Sequence, residues 1–321
     1  MTHGALKGRT VAGFYSLRKL AIAMPNRRTD VGATIARTSF GNENMRPLSL
    51  GWRTDMIFAR FDGEVVERGA YRVVRTPTNP GFWWGNFLLF DDAPRAGDAA
   101  RWMALFDAEI AQLQPVSRHV AFGINTTQRF DAPADFIAAG FEHYESTVLT
   151  MSRAQRRPPR VSVDATHYHV RPLVLPAEAA LAVELQVAVD AGEHQPIADY
   201  RLFRERQMLR YGAMERAGMG HWFGVFTNDG AIVADCGLFV DETGTLGRFQ
   251  HVGTHPSFRR RGLCTALIAA VCGHGFELMN LQTLVIVADP LDVAIGLYES
   301  LGFERAASTW QLQRAPIADA L

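Results

Sequence analysis

The feature that most constrains this chain is an internal repeat. Gly140-Phe141-Glu142 is followed by Ser146-Thr147, and Gly302-Phe303-Glu304 is followed at the same distance by Ser308-Thr309. The apolar run before each glycine corresponds too: Val120 to Asn125 lies about as far ahead of Gly140 as Leu284 to Asp289 lies ahead of Gly302. A strand, a glycine-closed helix and another strand that recur after about 160 residues predict two copies of one plan rather than one large fold. Length agrees, since 321 residues exceed the usual size of a single domain.

In the first copy, the alternation of apolar and polar residues predicts strands at Met56 to Arg60, Ala70 to Arg75 and the aromatic run Phe82 to Phe90. A helix from about Asp98, a strand at His119 to Ile124, a short helix at Ala134 to Ala139 and a strand at Thr147 to Met151 follow. Arg153 to Arg160, with two prolines and four arginines, reads as an exposed linker. In the second copy the pattern predicts a strand near Tyr168 to Pro172 and helices from Glu178 to Asp190 and Ile197 to Ala217. These are separated by the turn Gly192-Glu193-His194-Gln195-Pro196. Strands at Trp222 to Phe226, Ala231 to Phe239 and Leu246 to Thr254 lead to a helix from Gly262 to about Met279. A strand at Thr283 to Ala288, a helix at Val293 to Leu301 and a last strand near Thr309 to Gln313 complete it. The boundaries are a basic extension over 1–45, a first unit over 46–152, a linker over 153–165 and a second unit over 166–321.

Lysine plus arginine and aspartate plus glutamate number 33 each, so the chain as a whole lacks the positive field of a dedicated nucleic-acid or membrane-surface binder. Three cysteines without C-x-x-C spacing argue against a disulfide framework and against a zinc site, and point to a reducing, cytoplasmic compartment. No run is long and apolar enough to cross a bilayer. In the first 45 residues Lys7, Arg9, Arg18, Lys19, Arg27, Arg28 and Arg37 face only Asp30 and Glu43. This basic leader reads as a disordered extension or an over-long start before Met45, with a targeting segment or nucleic-acid arm as alternatives.

One motif carries chemistry. A strand ending at Thr254, a turn at Pro256, then Arg259-Arg260-Arg261-Gly262 opening a helix, form an anion cradle. Backbone N–H groups at a helix start have no partner within the helix, the helix dipole adds favourable charge, and glycine lets a phosphate approach closely. Arginines supply charge and forked donors. Taken alone, three arginines form a solvated patch as readily as a ligand site.

The segment Val252-Gly-Thr-His-Pro-Ser-Phe-Arg-Arg-Arg-Gly-Leu-Cys-Thr-Ala-Leu267 resembles the acetyl-CoA loop of the GNAT N-acetyltransferase superfamily, Q/R-x-x-G-x-G/A. Arg259 and Gly262 fit, and Cys264 replaces the second small residue. Ala288-Asp289 followed by Ala294-Ile-Gly-Leu-Tyr298-Glu-Ser-Leu-Gly302-Phe303 looks like the family's second signature, N-x-x-A-x-x-L-Y-x-x-x-G-F, with Asp289 in place of asparagine. The resemblance implies an α/β fold of two GNAT-like domains. Each would have a central mixed, mostly antiparallel sheet whose parallel strands splay apart, flanked by helices. It further implies direct transfer of an acetyl group from acetyl-CoA, as co-substrate and without a metal, to a primary amine of a small molecule, amino acid or peptide. Val252, Thr254, Arg259, Arg260, Arg261, Gly262, Cys264, Thr265 and Asp289 would hold the cofactor, and Tyr298 would protonate the departing thiolate. The amine must lose a proton, and the first candidate for the base is His251 on the strand before the loop, with Glu193 and Asp235 behind it, while His255 is expected to cap the turn or bind phosphate.

The first copy lacks these parts. Phe136 stands where the repeat predicts Tyr298, and Asp91-Asp92-Ala-Pro-Arg95-Ala-Gly97-Asp98 stands where it predicts the basic loop. Carboxylates there would repel a pyrophosphate, so this copy reads as a degenerate domain that is structural or shapes the substrate cleft. Phe82, Trp83 and Trp84 either line a binding surface or belong to the core. The expected partner is a small-molecule or peptide amine, without nucleic acid or membrane, and a homodimer remains open. The alternative to an enzyme is a non-catalytic acyl-CoA-binding sensor.

Overall fold

The computed structural model describes residues 45–316 apart from 116, 161–162 and 191–196. The basic leader and Glu193 lie outside the described residues. The first copy consists of α1 (Leu50–Asp62), β1 (Glu64–Glu67), β2 (Tyr71–Arg75), β3 (Phe87–Phe90), α2 (Asp98–Phe106), β4 (Val120–Ile124), α3 (Ala134–Ala138) and β5 (Glu142–Ser152). The second runs β6 (Tyr168–Pro172), α4 (Ala179–Asp190), α5 (Ile197–Arg216), β7 (Gly220–Thr227), β8 (Ile232–Val240), β9 (Leu246–Thr254), α6 (Leu263–Glu277), β10 (Thr283–Ala288), α7 (Ala294–Leu301) and β11 (Glu304–Arg314). Among the described residues no helix is long and apolar enough to cross a membrane.

The two copies share one mixed sheet in the order β1-β2-β3-β4-β11-β5-β10-β9-β8-β7-β6. Each copy's last strand is inserted into the other. β11 pairs antiparallel with β4, β5 pairs antiparallel with β10, and β5 and β11 pair with each other at the centre. Thr147 faces Ser308 and Ser146 faces Thr309, so the Ser-Thr pair of the repeat sits on the pseudo-two-fold relation between the copies. Both inserted strands follow a glycine at positive φ, Gly140 at 84° and Gly302 at 108°, the backbone region glycine enters without a Cβ penalty.

Two predicted elements are corrected. The aromatic run Phe82 to Phe90 is a strand only over Phe87–Phe90, because Trp83–Gly85 turn as a 3₁₀ helix. Met56 to Arg60 is not a strand but the middle of α1. Trp52, Met56 and Ala59 recur at helical spacing and pack on Val74, Phe87 and Leu89 of the first copy. Ile57 and Phe58, on the other side, pack with Tyr211, Trp222 and Phe239 of the second. Because α1 is buried on two sides, its short apolar run lacks the one-sided stripe that marks a surface helix. Met56, Ile57 and Phe58 each contribute roughly 1.5–3 kcal/mol by leaving water, so α1 fastens the copies together. The linker is exposed but docked: Arg156 pairs with Glu277 at 2.6 Å and the Arg157 N–H bonds Leu301 O at 2.9 Å.

Candidate active site

β9 and β10 run parallel but pair only from Thr283 with Leu246 to Val285 with Arg248. Beyond Arg248, β9 continues to Thr254 beside β8, and beyond Val285, β10 continues to Ala288 beside β5. The strands therefore diverge, and backbone groups of β9 that face the gap are free of a strand partner there. Val252 and Thr254 lie on this diverging stretch.

The cradle sits at the mouth of the gap. Pro256 to Phe258 form a 3₁₀ turn capped by His255, whose Nδ1 accepts the Ser257 N–H at 3.2 Å. Arg260 at φ 61° and Gly262 at φ 77° are both left-handed, and Gly262 is the N-cap of α6. Left-handed residues interspersed in a turn gather successive N–H groups on one side, which makes an anion-binding concavity. Arg259, Arg260 and Arg261 are exposed around it. Arg259 Nε donates to Thr254 O at 3.2 Å, and Arg261 stacks its guanidinium over Phe258 at 4.9 Å. Cys264 and Thr265, in the first turn of α6, are half-buried beneath it, and burial pushes the Cys264 thiol up to about 12.

Tyr298 on α7 is 3% exposed, beside Phe303 and near Cys264 and Asp292. Burial, reinforced by those acidic neighbours, holds its phenol well above the ordinary range, so it keeps its proton. Asp289 immediately follows β10 and spends one carboxylate oxygen on the Leu291 N–H at 2.8 Å. Counting back three residues from Ala294, as the second signature requires, lands on Leu291, which is 83% exposed. Asp289 is thus two residues from the signature's asparagine position and caps the turn into α7.

His251 stands at the gap for a structural reason. The β8 and β9 ladder pairs Cys236 with Val252 and Gly237 with Gln250, which skips His251 as a bulge, and its φ is 38°. Its buried imidazole lies between Asp235 and Arg204, with Nε2 3.5 Å from Asp235 Oδ1 and Nδ1 3.2 Å from Arg204 Nη2. An arginine only donates, so Nδ1 accepts and the proton rests on Nε2 toward Asp235. The other Asp235 oxygen accepts from Gln186 and Trp222, each at 2.9 Å. Arg204 also pairs with Asp190 at 2.9 Å and bonds Tyr200 and Gln207. The sequence named His251 and Asp235 separately; Arg204, Asp190 and Gln186 carried no motif.

Residues 185–303, which contain the cradle, the diverging strands and Tyr298, match the sequence profile described as the acetyltransferase (GNAT) family. The second copy is a GNAT-family domain. Solved structures with the same overall fold include a functionally unknown conserved protein from Staphylococcus epidermidis. It is 14% identical, aligned over 80% of this chain and 96% of its own, with a TM-score of 0.64. A GCN5-related N-acetyltransferase from Kribbella flavida is 16% identical over 83% of this chain and 94% of its own, TM-score 0.55. A tandem GNAT protein from the clavulanic acid biosynthesis pathway is 14% identical over 83% and 88%, TM-score 0.50. No curated protein sequence matches the chain.

The first copy is closed where the GNAT domain is open. β3 and β4 pair to their ends at Phe90 and Ile124, and the Asn125 N–H extends the pairing to Phe90 O at 2.7 Å. Trp102 stacks on Phe90 at 3.6 Å, and Phe136 is fully buried in the core. The start of α2 is occupied by Asp135, which accepts the Gly97 and Ala99 N–H groups at 3.1 and 3.0 Å. Asp91 is buried against Arg72 at 2.9 Å.

On the α1 and α5 side of the gap lies a cavity of about 410 Å³ between the copies. Gln250, His251, Val287 and Asp289 line its end at the diverging strands, while Trp52, Phe58, Phe82 and Trp84 contribute walls from the first copy. Trp83 is instead buried, stacked on His119 at 5.3 Å. Asp55 lines the cavity and pairs with Arg248 at 2.8 Å; burial raises its pKa despite that arginine.

Proposed function

We propose that the chain is an N-acetyltransferase, transferring an acetyl group from acetyl-CoA to a primary amine of a small molecule, amino acid or peptide in the cytoplasm. The observation that carries this reading is the coincidence of three features in one place. The cradle at the start of α6, the divergence of β9 from β10 and a protonated Tyr298 adjoin one another, and the cavity opens on the other side of the gap. Arg259 to Gly262 and the first N–H groups of α6 would receive the pyrophosphate. The pantetheine arm would lie between the diverging strands against Val252, Thr254, Cys264 and Thr265, in place of a strand neighbour.

In the transfer step the amine nitrogen attacks the thioester carbon, the carbon–sulfur bond breaks, and the sulfur takes a proton. Tyr298 supplies that proton as a general acid. The amine must lose one, and His251 receives it at Nδ1, directly or through water, when Arg204 yields that contact; Asp235 and Asp190 balance the resulting imidazolium. The first copy, closed at each corresponding position, serves as a wall of the acceptor cavity and binds no CoA.

Calorimetric titration with acetyl-CoA tests the reading. The unmodified protein is expected to bind, and Arg260→Glu/Gly262→Asp, which sets two carboxylates in the cradle, is expected to lose binding. A well-folded unmodified protein that takes up no acetyl-CoA overturns the proposal.

A further inference from the structure

Arg210 is the least engaged of the buried charges around the cavity. It projects from α5, is 8% exposed, and makes one ion pair, from Nε to Asp62 Oδ2 at 2.8 Å. Its Nη1 and Nη2 have no protein acceptor among the described residues, and the side chain lines the cavity. The two other buried arginines there differ. Arg248 spends its groups on Asp55, Thr54, Gly51 O and Phe249 O, and Arg204 on Asp190, Tyr200, Gln207 and His251. A guanidinium anchored at Nε, with its two terminal nitrogens left over at a cavity wall, is a charged fork that an incoming acceptor can engage.

What docks is constrained by its surroundings. With Nε held by Asp62, the remaining Nη1 and Nη2 edge offers parallel N–H groups, which match the two oxygens of a planar carboxylate. Asp62 and Asp55 nearby leave little net positive charge for a dianion. The Arg210 guanidinium lies 5.5 Å over the Phe82 ring, and Phe58, Phe203 and Trp84 continue an apolar, aromatic lining. Gln250 and His251 stand toward the diverging strands, where an amine would meet the thioester.

We infer that the acceptor is an amine bearing a carboxylate on an apolar, ring-sized body, with Arg210 gripping the carboxylate and the first copy's aromatic residues covering the body. This rests on the acetyltransferase reading and names its substrate class. The specificity of the reaction is then set by both copies together, since Phe82 and Trp84 belong to one and Arg210 to the other.

The test compares L-phenylalanine, L-phenylalaninamide and 2-phenylethylamine on the intact protein. Binding is read by tryptophan fluorescence, because Trp52 and Trp84 line the cavity, and turnover by CoA release with acetyl-CoA. The acid is expected to bind about 10- to 100-fold more tightly than the other two, the range for a charge-assisted pair. Arg210→Gln is expected to erase that preference through KM while acetyl-CoA affinity is retained. O-phosphoethanolamine serves as the dianion arm and is expected to bind more weakly than the acid. Equal binding of acid, amide and decarboxylated amine overturns the inference, as does tighter binding of the phosphate compound. If Arg210→Gln does not fold, the comparison on the unmodified protein decides alone. Failure of the enzyme reading is separate, because it appears as loss of acetyl-CoA binding.

Discussion

The Asp135 carboxylate accepts the Ala99 N–H at 3.0 Å, and so fills from within the first copy the place that α6 leaves open in the second. The same oxygen takes the Gly97 N–H at 3.1 Å. Asp135 immediately precedes Phe136, the counterpart of Tyr298, so one dipeptide accounts for both the filled helix start and the missing phenol. Calorimetry is therefore expected to give one acetyl-CoA per chain. Asp135→Ala removes a helix cap and is expected to cost roughly 0.5–2 kcal/mol in urea unfolding. It leaves the stoichiometry at one, because β3 and β4 stay paired to their ends; two equivalents bound would show that the first copy is a working site.

Tyr298→Phe isolates the proton donor. The ring keeps its packing against Phe303, so folding and acetyl-CoA affinity are expected to hold while kcat falls by about 10²-fold or more. A KM effect with unchanged kcat would assign Tyr298 to packing instead. His251→Asn is the companion, since asparagine tolerates the left-handed backbone at this bulge. It is expected to lower kcat without loss of acetyl-CoA binding, and an unchanged kcat would move the base elsewhere.

The two repeat glycines give a test of the packing. Both have positive φ, but a Cβ at Gly302 would collide with the Gln155 carbonyl, whereas at Gly140 it would meet only the Arg314 side chain at 3.7 Å. Gly140→Ala is expected to cost about 1–2 kcal/mol, the left-handed penalty alone. Gly302→Ala must also displace the docked linker and is expected to cost more. Chemical denaturation of both variants checks this, and equal losses would mean that the linker moves freely.

The sequence disclosed what is local. The Gly-Phe-Glu repeat, the strand-to-helix turn at Arg259 to Gly262 and the helix carrying Tyr298 each lie within a short window, and the described residues form those elements. The insertion of β5 between β10 and β11 was not legible, because sheet order depends on partners far apart in sequence. The network of His251, Arg204, Asp190 and Gln186 draws on β9, α5 and α4 and has no spacing to recognise. Arg210 looks like any helical arginine until α5 packs against α1 and Asp62. Met56 to Arg60 misled for a different reason, since burial on two sides erased the helical stripe.

The acid stability of the fold is expected to turn on His119. It is 1% exposed, stacked on Trp83, with Nε2 bonded to Asn86 O at 2.9 Å. Burial lowers its pKa from 6.5 to about 4 against the smaller raising effect of the backbone carbonyls. The unfolded chain therefore binds a proton at pH 6.5 that the folded chain does not bind until about pH 4. Stability is fully present above pH 6.5 and is lost as pH falls through that window, by about 2 kcal/mol at pH 5. Urea unfolding at pH 7.5 and pH 5 of the unmodified protein and of His119→Gln measures the term as a difference, which removes the contribution of His143 and His274. The variant is expected to be less stable at pH 7.5 yet to lose less on acidification. Parallel losses in the two proteins would mean that the folded state takes up the proton at this site as readily as the unfolded one.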